Sequence, residues 1–196
     1  MEARLKVPRV APLDPEDWTE AQAKILGPVY EQAQLYNNLG TLARHGQAFE
    51  RLMAWGGHVI NGSTLGVRDR ELIILRIGWL CKSHYIWRQH RVISMRDGFT
   101  EADLVRIENG PEAEGWAPNE RLVLRAVDEV HADAFISDDT WAGLAKLYTT
   151  EQVMDIIMAA GTYAMMAGLL NSLGVQMDEG FREDDPLSVR SGLVME

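Results

Sequence analysis

The chain has 196 residues, 46% of them hydrophobic, with a formal net charge of −10 and one cysteine, Cys81. That length and apolar content suit a single domain able to bury its own core, while one cysteine excludes an intrachain disulfide framework and a CxxC zinc cluster and points to a reducing compartment. The acidic balance argues against nucleic acid as a partner, because phosphate binding needs clustered Lys and Arg; a small anion stays open wherever cations gather locally.

The opening MEARLKVPRVAPLDPEDW lacks the apolar segment of a signal peptide, and no run approaches the ~18 apolar residues of a membrane span, so the cytoplasm is the expected location and a membrane is not an expected partner. Pro8, Pro12 and Pro15 keep residues 1–15 extended or turning, as an arm expected to lie over a surface. A first helix starts around Asp14 to Glu16 and runs through WTEAQAKILGPVYEQAQ, with a break expected near Gly27-Pro28. A short helix through NNLGTLARHG follows. In QAFERLMAWGGHVING, Phe49, Leu52, Met53 and Val59 fall at helical spacing before the turn at Asn61-Gly62-Ser63. The segment VRDRELIILRIGWL carries Leu72, Ile73, Ile74, Leu75, Ile77, Trp79 and Leu80, apolar nearly all round, which is the signature of a buried helix. Its β-branched run would also suit a strand, but the charged entry and about thirteen residues of length favour the helix. The next helix covers roughly Ser83 to Arg96 and ends at Asp97-Gly98. Thr100 then caps TEADLVRIENG. After GPEAEGWAP come PNERLVLRAVDEVHADAF, then DDTWAGLAKLY behind an Asp138 cap, then TTEQVMDIIMAAGTYAMMAGLLNSLGV. Small residues at Ala159, Ala160, Gly161, Ala164, Ala167 and Gly168 would let other helices approach that last one closely. Residues 178–196 read as a loose acidic tail. No strand pattern survives, so the expectation is an all-α domain over residues 16–177.

Glu71 stands one turn into the apolar helix. It could serve the helix N-terminus or pair with Arg68 or Arg76; against an apolar wall it could instead move protons. On the following helix Ser83, Trp87 and His90 share one side at offsets 0, 4 and 7, and His84, Arg88 and Arg91 share an adjacent side. His84 and His90 lie six apart, which separates them around the helix and argues against a metal there. His45, His58 and His131 are scattered and suit structural or surface roles. There is no HExxH, no GxSxG elbow and no glycine-rich phosphate loop, and no metal is expected. Spacing alone describes a helical domain with a Glu–His pair.

RDRELIILRIGWLCKSHYIWRQH resembles the signature of the carboxymuconolactone decarboxylase family, which shares its fold with the alkylhydroperoxidase D-like proteins. TLARHGQAFERLMAWGGHVINGSTL, GFTEADLVRI, DEVHADAFISDDTW and LLNSLGVQMD extend the likeness over roughly residues 15 to 180. The family's redox branch carries an acid, a cysteine twelve residues on, a second cysteine three later and a histidine four beyond. Here those positions are Glu71, Ser83, Ile86 and His90, so the acid and histidine stand but both thiols are gone. A dithiol peroxidase needs one thiolate to attack and another to resolve. Cys81 supplies neither, being about 200° of helix away from position 83, and reads as an inert thiol.

The resemblance therefore implies an alkylhydroperoxidase D-like helical bundle and cofactor-free lyase or isomerase chemistry on a small carboxylated lactone or aromatic-breakdown product. Glu71 and His90 would transfer the proton. Ser83, His84, Tyr85, Trp87, Arg88 and Arg91 would contact substrate, with Tyr85 and Trp87 walling the pocket and His84, Arg88 or Arg91 holding a carboxylate. It also implies a homotrimer or homohexamer. The run HYIW stands where an EYEW run is expected, and GTYAMM replaces a pattern with a polar pair around the tyrosine, so the pocket differs in character from the namesake's. The other reading is a catalytically silent, oligomeric small-molecule-binding protein of the same fold.

Overall fold

The computed structural model describes residues 1–32, 36–178 and 181. A short 3-10 turn at Pro15–Asp17 precedes α1 (Glu20–Gln32), α2 (Asn37–Leu42) and α3 (Gly46–Gly57). A π-helical turn at His58–Gly62 leads to α4 (Val67–Leu80) and α5 (His84–Arg96). Then come α6 (Glu101–Asn109), α7 (Pro118–Asp133), α8 (Asp138–Leu144) and α9 (Thr150–Leu173). No strand occurs among the described residues.

Helix ends follow capping chemistry. Thr100 accepts from the Asp103 N–H while Asp103 accepts from the Thr100 N–H, a reciprocal cap that starts α6. Thr149 and Gln152 do the same for α9. Two expectations change. The α8 cap is Ser137, whose hydroxyl accepts from the Thr140 N–H; Asp138 is the first helical residue, where its charge suits the helix dipole. The first helix begins at Glu20 and continues through Gly27-Pro28 without the expected break, since a proline removes one donor and a helix can carry the loss.

Helix α4 is apolar all round because neighbours cover it on every side. Leu72, Ile73, Ile74, Leu75 and Ile77 are fully buried, against α5, α7 and α9 with α6 on the flank. Burial of each such side chain stabilises by roughly 1.5–3 kcal/mol. Where α4 ends, Cys81 forms the cap, Lys82 adopts φ 51° and the Ser83 N–H returns to the Gly78 carbonyl at 2.8 Å. That three-residue reversal sends α5 back along α4. The two helices meet closely at Gly78, where an added Cβ would lie 3.0 Å from Ile86 Cγ2 and 3.4 Å from the Trp87 nitrogen. The hairpin thus brings a residue well inside α5 beside the first turns of α4.

The arm is seated on its own chain. The N–H groups of Arg9 and Val10 donate to the Leu173 carbonyl, and Gln176 donates to the Leu5 carbonyl. At the far end, Asp178 is buried and accepts from the Asn37 N–H and the Tyr85 hydroxyl, and Phe181 packs against Tyr36. The loose tail expected from residue 178 does not begin there; its remainder, residues 182–196, lies outside the described residues.

Candidate active site

The α4–α5 hairpin joins Glu71 and His90 in the interior. Glu71 is 2% exposed and His90 8%, and the Nδ1–H of His90 donates to Glu71 Oε2 at 2.8 Å. A carboxylate can only accept, so this contact assigns the proton to Nδ1. Nε2 makes no hydrogen bond to any described residue and carries the free lone pair.

The arginines first considered for Glu71 are committed elsewhere. Arg68 donates to Glu120 and Asp103, and Arg76 to Asp128 and to the carbonyls of Ile107 and Glu108. Arg70 stands beside the pair instead, with Nε 3.8 Å from Glu71 Oε1. Its Nη1 donates to the Ile60 carbonyl at 2.7 Å in the π-helical turn, so one bond within the protein fixes the cation's position.

Tyr163 of α9 completes the cluster. Its ring stands edge-on to His90 with centroids 5.3 Å apart and planes at 88°. Its hydroxyl makes no hydrogen bond to a described residue. Burial raises the Tyr163 pKa and the nearby Glu71 charge adds to that, against a smaller opposing effect of Arg70, so the phenol stays a neutral donor. Neither Arg70 nor Tyr163 was singled out from sequence. Arg70 is the immediate neighbour of Glu71, and adjacent helical positions point about 100° apart; Tyr163 arrives from a helix 73 residues further along. The polar Thr-Tyr in an otherwise apolar run was the one available signal.

The remaining expected contacts divide. Ser83 lies on the His90 side of α5, is fully buried and has an Oγ without a hydrogen-bond partner. Trp87 packs against Trp79 at 5.1 Å, in a cluster with Phe99 and Leu104, and so belongs to the core rather than to a pocket wall. Tyr85 is about 140° around α5 from His90 and its hydroxyl is taken by Asp178 at 2.5 Å. Arg91 pairs with Glu101 at the surface. Arg88 stands about 160° from His90 around α5 and His84 about 120°, and His84 lines a small cavity with Arg4 and Asn171 under the arm. Helical spacing alone could not separate the face that meets α9 from the faces that do not.

Of the other candidates, His45 Nδ1 caps α3 by accepting from the Ala48 N–H, His58 pairs with Asp155 and His131 lies 3.7 Å from the Cys81 sulfur. Burial pushes the Cys81 thiol up, which disfavours the thiolate. No group of three or more metal-ligating side chains occurs among the described residues.

The model of the carboxymuconolactone decarboxylase family matches residues 46–129, the span that runs from α3 to the middle of α7 and holds both Glu71 and His90. An alkylhydroperoxidase core structure, a peroxidase-related protein from Ralstonia eutropha JMP134, superposes with a TM-score of 0.77 at 15% identity over 90% of this chain and 95% of that one. Residues 46–129 of this chain thus match the carboxymuconolactone decarboxylase family, and the fold is that of the alkylhydroperoxidase D-like structures. A peroxidase-related protein from Silicibacter sp. TM1040 gives 0.73 at 16% identity, covering 91% and 93% of the two chains. The debrominase Bmp8 gives 0.70 at 13%, covering 87% and 92%. No curated protein matches in sequence. At these identities the structures establish the superfamily's helical fold and leave the chemistry to the site.

Proposed function

We propose that this chain is a cofactor-independent lyase or isomerase, acting in the cytoplasm on a small carboxylated lactone or related ring-breakdown product. The observation that carries the reading is the buried 2.8 Å contact of Glu71 with His90 Nδ1, which leaves Nε2 as the atom for proton transfer. In a decarboxylation the bond from ring carbon to carboxylate breaks, carbon dioxide leaves, and the electron pair passes into the conjugated carbonyl as an enolate. His90, having taken a proton from solvent at Nε2, delivers it to carbon and returns to the neutral Nδ1–H form, which Glu71 favours. Arg70 and the neutral Tyr163 hydroxyl are the groups placed to hold a carboxylate and a developing oxyanion. An isomerisation uses the same parts, with Nε2 first taking a proton from carbon.

A dithiol peroxidase is disfavoured by the chemistry present, since positions 83 and 86 are Ser and Ile and the one thiol is held neutral beside His131. The test offers carboxymuconolactone and a panel of small carboxylated lactones, and follows carbon dioxide release and deuterium uptake from heavy water. Turnover of one of them that is lost in His90→Ala supports the proposal. Dithiol-dependent consumption of organic hydroperoxide that disappears in Cys81→Ser would replace it. The expected result is no such peroxidase turnover and a Cys81→Ser variant with unchanged lactone activity.

A further inference from the structure

Arg70 meets the Glu71–His90 pair under restraint. Its Nη1 donates to the Ile60 carbonyl at 2.7 Å, while its Nε stops 3.8 Å from Glu71 Oε1, beyond the roughly 2.7–2.9 Å of a charge-assisted hydrogen bond. The same cation is felt at the Tyr163 phenol and at the Asp97 carboxyl where α5 ends. A guanidinium this close to a buried carboxylate would close the remaining gap if nothing held it. Held where it is, it leaves Glu71 to the His90 Nδ1–H and keeps donors for an incoming anion.

The anchor is a backbone carbonyl in the middle of the π-helical turn His58–Gly62, and the turn is itself gripped from α9. Asp155, 7% exposed, meets both of its ends. Asp155 Oδ2 accepts from the Thr64 N–H at 2.7 Å, the Thr64 hydroxyl at 2.8 Å and the Ser63 hydroxyl at 3.1 Å. Its Oδ1 lies 3.5 Å from His58 Nε2. The His58 ring folds over the turn, since an added Cβ at Gly62 would lie 2.9 Å from its Nδ1. Burial works to raise the Asp155 carboxyl, but the bonds from Thr64 and Ser63 and the His58 charge outweigh it, so the carboxylate stays ionised and acceptor-only. One hydroxyl at this position could serve one end of the turn; a carboxylate with two oxygens reaches both.

We propose that Asp155 is a positioning residue for the site: by bracketing the turn it fixes the Ile60 carbonyl, and through that carbonyl the gap between Arg70 and Glu71. The use of Arg70 to hold a carboxylate rests on the proposed lyase reading; its restraint by Asp155 does not. Without the bracket Ile60 shifts, Arg70 closes onto Glu71 Oε1, and the bond from His90 Nδ1–H weakens because its acceptor has become less basic.

The experiment follows the low-field proton resonance of His90 Nδ1–H in the full chain with isotope-labelled histidine, assigned by its loss in His90→Ala. Arg70→Gln removes the competing cation and should move the resonance downfield. Asp155→Ala should move it upfield, the opposite direction, and Asp155→Asn, which keeps an acceptor for Thr64, should restore much of the parent position. In an Arg70→Gln background Asp155→Ala should have no further effect, because its effect passes through Arg70. Should Asp155→Ala fail to fold, Thr64→Val removes one of the three bonds and should give a smaller upfield shift. A resonance that stays in place while the thermal midpoint falls overturns the proposal and makes Asp155 a loop cap. So does an equal shift with and without Arg70, and so does the absence of the resonance from the parent, since Nδ1–H is then not bonded to Glu71. Lactone turnover plays no part in this measurement, so a chain without lyase activity that shows the expected shifts rejects the lyase reading and keeps the role of Asp155.

Discussion

A carboxylate on Nδ1 leaves Nε2 as the open imidazole nitrogen, so under the proposed reaction Glu71 and His90 carry separable roles. His90→Ala removes the transferring atom and should lower turnover by a factor of roughly 10² to 10⁴. Glu71→Gln keeps the shape but presents an amide that can flip and accept or donate, so the tautomer is no longer fixed; turnover should fall and the pH–rate profile should change shape. Tyr163→Phe keeps the ring edge on His90 and removes only the hydroxyl. If that hydroxyl holds an oxyanion, kcat should drop by about 10- to 100-fold with little change in KM. Steady-state kinetics and thermal midpoints on the same three proteins distinguish this from a structural role. Midpoints that fall while turnover per folded molecule stays constant would make the pair a buried helix tie and nothing more. Spacing offered the pair only as a suspicion, and the resemblance singled it out, because its two members stand at the positions of the family's acid and histidine. Arg70 and Tyr163 were not legible, since only the packing of the π-helical turn and α9 against the hairpin brings them there.

Single helices were most legible where one physical term dominated. The bounds of α4 follow from an apolar run covered on all sides behind a charged entry, and α6 and α9 begin at threonines that complete reciprocal caps. The α8 cap was misplaced by one residue because Ser137 and Asp138 are both good cap residues, and only backbone geometry selects between them. The α6 cap has a consequence in acid. Burial works to raise the Asp103 carboxyl, but hydrogen bonds from the Thr100 hydroxyl and N–H, from Arg106 and from Arg68 outweigh it and hold the group well below the ordinary carboxylate range. A folded-state pKa below the unfolded value adds stability that is complete above the unfolded value, about 3.9, and is lost as pH falls from there through the folded pKa. Asp103→Asn should therefore cost about 2 kcal/mol at neutral pH. Its thermal midpoint should also decline less steeply than the parent's between about pH 4 and pH 2. Parallel acid profiles for the two proteins would show that Asp103 does not drive the acid transition.

At the scale of the whole molecule, the arm and the end of α9 act as one clasp. The last carbonyls of a helix have no partner within it, and here Leu173 and Ser172 receive donors from Arg9 and Val10, 163 residues or more earlier in the chain. Gly174, at φ 70°, makes the turn that exposes them, and an added Cβ there would press on Leu5 and on the Val7 carbonyl at 3.0 and 3.1 Å. The arm then continues to α2 and α3, where Arg44 donates to the Ala11 carbonyl and the Leu13 N–H to Gly40. Prolines announced an extended arm, but its docking place depends on carbonyls that no local pattern marks. Removing residues 1–10 strips three hydrogen bonds from the α9 terminus and one from Gln176. At a net 0.5–1.5 kcal/mol for each bond, and with water replacing part of them, the loss should be about 2 kcal/mol. For a chain of this length that lowers the thermal midpoint by roughly 4–8 °C. Glu71 and His90 lie on the α4–α5 hairpin and make no contact with the arm, so the rate per folded molecule well below the midpoint should stay at the parent value. A truncated chain that melts with the parent would mean that solvent satisfies those carbonyls equally well. One that melts early and also loses turnover would tie the arm to the site through α9, by way of Tyr163.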